Sequence, residues 1–245
     1  MERPIYFLNV ILEKIFGLPV PYYLPEPGNF WDSIQLLAPH VTYTLLVMLF
    51  LIAIPKLTMG GKPEMVPGPG QSFWEVVIGT IEDFMAEHMG REGARMMLPL
   101  LATLGLFILV SNLIGLIPGL FSPTKNLNIT LAMALIVFVT THLIGIKYHG
   151  VAYIKHFLGP VPVLMPLMLP IELISHLARV LSLSVRLFGN MFAKDTLAVL
   201  IFILAGAYFA PLPIMMLGVM VSFIQAGVFV MLSMLYFAMA MEDAH

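Results

Sequence analysis

The stretch that decides the architecture is Pro160–Gly206, PVPVLMPLMLPIELISHLARVLSLSVRLFGNMFAKDTLAVLIFILAG. Its 47 residues are apolar almost throughout. As one straight helix they would measure about 70 Å, against a hydrocarbon core of about 30 Å. Two readings stand at this point: two crossings, or one long, tilted, curved helix. The run also carries Arg179, Arg186 and Lys194, beside Glu172, His176 and Asp195. A charge at mid-bilayer costs about 2.5–3.5 kcal/mol on insertion scales, so several in one segment point to a polar interior pathway. For Arg179 and Lys194 the plainer alternative is an interfacial position with a snorkelling head group.

A helical projection sorts these residues. With Arg186 at zero and about 100° per residue, Glu172, Ser175, Arg179, Ser182 and Asn190 all fall within about 40° of it. An apolar helix in lipid gains nothing by packing from such a stripe. Polar stripes line water-filled cavities or face polar partners. Asp195 falls about 180° away, on the other side. The helix therefore shows acid on one face near its start and on the opposite face near its end, with an arginine between. Two separate ion paths would look like this. The plainer reading of Ser175, Ser182 and Asn190 is hydrogen bonding between helices.

The rest of the chain agrees with a membrane setting. Of 245 residues, 60% are hydrophobic and 11% charged, where soluble domains run near 45–50% and about 25%. Mean hydropathy is +0.96. An ordinary soluble enzyme and a disordered chain are excluded. A net charge of −2 leaves no polybasic surface for nucleic acid. With no cysteine there is neither a disulfide framework nor a thiolate metal site. The expected class is an all-α polytopic membrane protein, one membrane domain over 1–245.

Spans need about 20 mostly apolar residues. Residues 34–54 supply the first. A two-span hairpin is expected over 97–146, as Met97–Phe121 and Leu127–Ile146. Pro211–Met239 is the last span, so 160–239 is read as a long helix pair. Phe73–Gly90 places Trp74, Val77, Ile78, Ile81, Phe84, Met85 and His88 on one face, interrupted by Glu75, Glu82, Asp83 and Glu87. An amphipathic surface helix is expected over 73–96. Residues 1–33 carry five prolines and no A-x-A site, so no cleaved signal is expected. Ile5, Leu8, Leu12 and Ile15 suggest a short interfacial helix there. Lys56, Lys62, Arg91, Arg95, Lys147 and Lys155 fall in loops on one side; Arg3, Lys14 and Lys125 fall on the other. That bias puts the N-terminus outside.

In the last span Ser222, Gln225 and Tyr236 share a line with Gly218. A buried glutamine wants a polar neighbour or water; a helix–helix hydrogen bond is the plainer reading. Ser111, Asn112 and His142 are weaker signals.

The segment Ser182–Asp195 (SLSVRLFGNMFAKD) closely resembles the signature of subunit a of F-type ATP synthases, with R-L-F-G-N at its core. Ser111–Gly119 (SNLIGLIPG, with Pro118), Asn128–Leu135 (NITLAMAL) and Ile224–Met239 (IQAGVFVMLSMLYFAM) match the same family in order. The resemblance implies a proton-translocating stator with five crossings, a surface helix, and two long, membrane-inclined helices against a ring of c subunits. It implies a b-subunit peripheral stalk and the rest of the complex as further partners. It also implies a multi-pass place in a bacterial plasma (inner) membrane, and no cofactor, metal or catalysis in this chain. Single crossing of 160–206 and a cytoplasmic C-terminus follow from it.

Carried over, Arg186 is the family's essential arginine. Glu172, Ser175, Ser182 and Asn190 match polar positions of the cytoplasmic half-channel. Asp195 takes the place of a glutamate on the periplasmic side. Gln225 and Tyr236 match positions of the final helix, and His176 and Lys194 lie among these residues. Two departures stand out. A position that often holds a His or Glu is Gly218 here, so water or another residue such as His142 is expected to complete the outer path. Lys194 replaces a common Gly and puts a cation beside Asp195.

Rival readings are weaker. A secondary transporter or channel would show inverted repeats, and none is evident. Glu172 and His176 have metal-sharing spacing, but no H-E-x-x-H or third ligand accompanies them. No G-x-x-x-x-G-K-[ST] occurs, so nucleotide chemistry must happen elsewhere.

Overall fold

A computed structural model describes residues 39–59, 65–117, 120–150, 165–205 and 212–241. They form helices α1 (Pro39–Met59), α2 (Pro69–Ile114), α3 (Leu127–His149), α4 (Met165–Ala205) and α5 (Leu212–Met241), with a single 3-10 turn at Pro123–Lys125. There is no strand among the described residues. Four helices are long and apolar enough to cross a membrane: α2, α3, α5, and His40–Met59 of α1. The expected interfacial helix at 1–33, Pro118, and the last four residues lie outside the described residues. So does the side chain of Glu172, whose backbone is in α4.

Between Met165 and Ala205 the long run is one helix of 41 residues, about 60 Å. Of the two readings, a hairpin inside this segment is ruled out.

α2 joins the expected surface helix to the second span. The break falls at Gly90, with φ 73° and ψ 161°, earlier than the boundary of 96/97 read from hydropathy. A positive φ suits glycine, which has no Cβ to clash. The two arms are stitched across the break by Arg95 Nε and Glu82 Oε1 at 3.0 Å. The first arm docks on the end of α1, where Trp74 Nε1 donates to Thr58 Oγ1 at 2.9 Å.

The core lies where α5 packs on the second arm of α2. Leu101, Ile108, Phe229, Met234 and Phe237 are fully buried there. Lipid is as apolar as these side chains, so close fit rather than water exclusion holds such helices together. α3 runs antiparallel to α4. Thr130 Oγ1 near its start lies 3.1 Å from the Ser184 hydroxyl, and His142 further on meets His176. α5 is antiparallel to α4 as well. Arg179 meets Tyr236, and eleven residues on along α4, eleven back along α5, Asn190 meets Gln225.

Candidate functional site

α4 turns Val180, Leu183, Ser184, Leu187 and Met191 inward and leaves Ile174, Leu177, Leu181, Val185 and Phe192 uncovered. Arg186 stands on the uncovered face. Its Nη2 lies 3.5 Å from Ser182 Oγ, one turn back, a weak contact at that length. Among the described residues it has no carboxylate partner. A permanently charged guanidinium on an apolar face of a membrane helix is costly unless something anionic or aqueous meets it.

One turn further, Asn190 Nδ2 donates to Gln225 Oε1 at 2.6 Å. Gln225 is buried, and its Nε2 has no hydrogen-bond partner. The plainer reading of this pair, an interhelical bond, describes the contact, and it joins Asn190 of the stripe on α4 to the polar line of α5. Ser222 is different: its hydroxyl donates to Gly218 O of its own helix at 2.7 Å, which leaves it only as an acceptor.

On the C-terminal side of Arg186 lies a charged cluster. Asp195 is ion-paired with Lys125, and Lys194 Nζ stands 4.0 Å from its other oxygen. Lys125 ends the 3-10 turn, which is anchored by buried hydroxyls: Ser122 and Thr124 share a hydrogen bond of 2.7 Å, and Thr124 donates to Asn112 Oδ1 at 2.7 Å. The Lys194 side chain is only 9% exposed. Its stem runs over bare backbone at Gly218, where a Cβ would come within 3.0 Å of Lys194 Cδ and 2.5 Å of Leu116 Cδ2. The space of a side chain at 218 is thus filled by Leu116 and the lysine stem together.

On the N-terminal side of Arg186 a small cleft, with room for about one water, opens between α3, α4 and α5. His142, His176, Arg179, Tyr236 and Phe138 line it. The imidazoles of His142 and His176 meet edge to face, centroids 5.0 Å apart. Arg179 Cζ sits 5.3 Å from the centre of the Tyr236 ring, a cation–π distance. Arg179 therefore reaches across to α5 rather than snorkelling alone. Ser175 is partly buried beside His176 on the same turn.

His142 was expected to help Asp195, and the structure corrects this. Because α3 is antiparallel to α4, the start of α3 meets the Asp195 end and His142 meets the other end. Lys125 takes the position at Asp195 instead. Sequence reasoning had counted Lys125 only as a loop charge. The available signal was a lone basic residue directly before a span that starts near the charged end of the long helix.

The model of the ATP synthase A chain family matches residues 41–238. ATP synthase subunit a of Desulfotalea psychrophila is 56% identical over 245 residues, covering all of both chains. Its counterpart in Syntrophobacter fumaroxidans is 56% identical over 247 residues, again at full coverage. That of Citrifermentans bemidjiense is 46% identical over the full length of both. With an uncovered arginine between two polar clusters on one long membrane helix, and matches of this extent, the chain belongs to the ATP synthase A chain family.

Proposed function

We propose that the chain is the proton-translocating stator of the F-type ATP synthase membrane sector, giving protons access to a ring of c subunits through two offset half-channels. The observation that carries this reading is Arg186: uncovered, without a carboxylate partner among the described residues, and flanked along α4 by one polar cluster on each side. The cleft at His176 and the Asp195 cluster lie about 15 Å and 14 Å from it along the axis. Arginine does not lose its proton in proteins, so it cannot pass one on and blocks a direct leak between the clusters. A passing carboxylate from a neighbouring subunit is the anion that this guanidinium lacks.

In this reading Glu172, Ser175, His176, Ser182 and Tyr236 serve the cytoplasmic side. Asp195 and Lys194 serve the outer side, and Asn190 with Gln225 holds α4 and α5 in register beside Arg186. The N-terminus lies outside and the C-terminus inside a bacterial plasma membrane. ATP chemistry belongs to other subunits, and a b-subunit stalk holds this chain still against the ring.

The test is proton flux into vesicles bearing the assembled complex. Arg186→Ala is expected to abolish ATP-driven pumping while the complex still assembles. Pumping near the wild-type rate would remove the barrier role and leave an ordinary channel or transporter as the better reading.

A further inference from the structure

Two imidazoles from different helices share the cleft at the α3–α4–α5 junction, and the Arg186–Asn190–Gln225 arrangement does not use them. We propose that His142 and His176 form a two-imidazole proton relay between water in this cleft and the Arg186 face of α4. The inference rests on the proton-translocating reading above and adds to it a specific pair of carriers.

The geometry favours a relay over simple packing. Histidine is the side chain whose ordinary titration lies nearest neutral pH, and its neutral ring both donates and accepts. With centroids 5.0 Å apart and rings at 74°, the two rings are close enough for one water to link a nitrogen of each, the range that proton transfer needs. Phe138 stacks against His142 at 4.2 Å and lies 6.3 Å from His176, so an apolar wall backs both rings. The rest of the lining is mostly apolar, but Thr141, Arg179 and Tyr236 give it polar points, and the cleft has room for about one water that they and the rings can hold.

The charged and titratable groups around the pair are few. α4 contributes Arg179, and Glu172 precedes His176 by one turn of the same helix. α5 contributes Tyr236, its ring face taken by Arg179. α3 contributes Lys147 and His149 beyond His142, toward the end of the helix. Arg179 cannot release a proton. Arg179 is thus no link in the chain, and the two rings are the carriers that face one another in the cleft. His176 takes up a proton from water on the Arg186 side and passes its N–H proton through one water to the lone pair of neutral His142. His176 is left neutral, and His142 then releases the proton to cleft water. One proton is taken up, one is released, and the same steps run in reverse.

The experiment uses the complete membrane sector with its c-ring, reconstituted in vesicles, with passive proton conduction as the readout. His142→Gln and His176→Gln are each expected to lower conduction about tenfold or more, within the range of positioned acid–base groups. The double variant should be no slower than the slower single one, since carriers in series do not add. His176→Ala leaves a hole in an accessible cleft, and added imidazole should restore much of its conduction. Where a Gln variant fails to assemble, the Asn variant at the same position is measured instead. Unchanged conduction in either single variant overturns the relay. So does a loss that imidazole does not restore, which would mark the rings as packing. A wild-type complex that conducts no protons would instead defeat the broader reading, and the two failures are distinguishable.

Discussion

Asn190 and Gln225 join α4 to α5 by an amide–amide hydrogen bond of 2.6 Å, one turn beyond Arg186. Measured couplings of this kind inside membranes average about 0.6 kcal/mol and reach about 1.7. A double-mutant cycle of Asn190→Ala and Gln225→Ala, read from thermal stability of the purified complex, should return a coupling in that interval. A coupling of zero would mean that the bond does not hold the helices in register.

Asp195 should matter to flux rather than to assembly. Asp195→Asn keeps the shape but removes the group that can take up and release a proton. It also leaves Lys125 and Lys194 facing no charge. ATP-driven pumping should fall at least tenfold, in line with loss of a positioned acid–base group. Normal pumping would reduce Asp195 to an ion-pair partner that fixes the 3-10 turn.

Gly218 and Lys194 should behave as one volume. Gly218→Leu puts a side chain where the Lys194 stem and Leu116 already lie. Overpacking of this kind costs about 1–3 kcal/mol. The complex should lose thermal stability, and Lys194→Ala in the same chain should restore part of it, the clash with Leu116 remaining. No recovery would show that the lysine is no part of what fills the space.

Gly90→Ala isolates a backbone effect. A Cβ there meets nothing within 4 Å, so any cost comes from the positive φ, about 1–2 kcal/mol for a residue other than glycine. The apparent melting temperature should drop, and Gly90→Asn should drop it less. Equal stability of all three would mean that the break straightens without penalty.

Tags at both ends test the crossing number. One helix between Met165 and Ala205 and an outward N-terminus predict ends on opposite sides of the membrane. Labelling of both ends from the same side would contradict five crossings.

Much of this was legible in residue types alone. Hydropathy finds the spans because each must present about 20 apolar residues to lipid. The stripe on α4 is visible because charges in such a run have no cheap explanation. Whether 160–206 turns back was not legible, since an apolar run of that length satisfies lipid equally as a hairpin or as one helix. The break at Gly90 was hidden because polar residues continue past it to Arg95, while the decisive quantity is one dihedral angle. Lys125 and His142 were misjudged for a different reason. Their partners are fixed by the antiparallel docking of α3 on α4, and spacing within a single helix carries no information about the neighbour's direction.

The length of α4 has a consequence of its own. Neither its first turn nor its last carries a charge, so nothing draws either end out of the hydrocarbon. A rod of about 60 Å fits wholly inside a slab of about 30 Å only by leaning roughly 60° from the normal. His176 and Asp195 are then separated by about 25 Å sideways but only about 14 Å in depth. Anything that ferries a proton between these two addresses travels mostly parallel to the lipid surface. The slope of one helix thereby turns a voltage across the membrane into a reason to move along it.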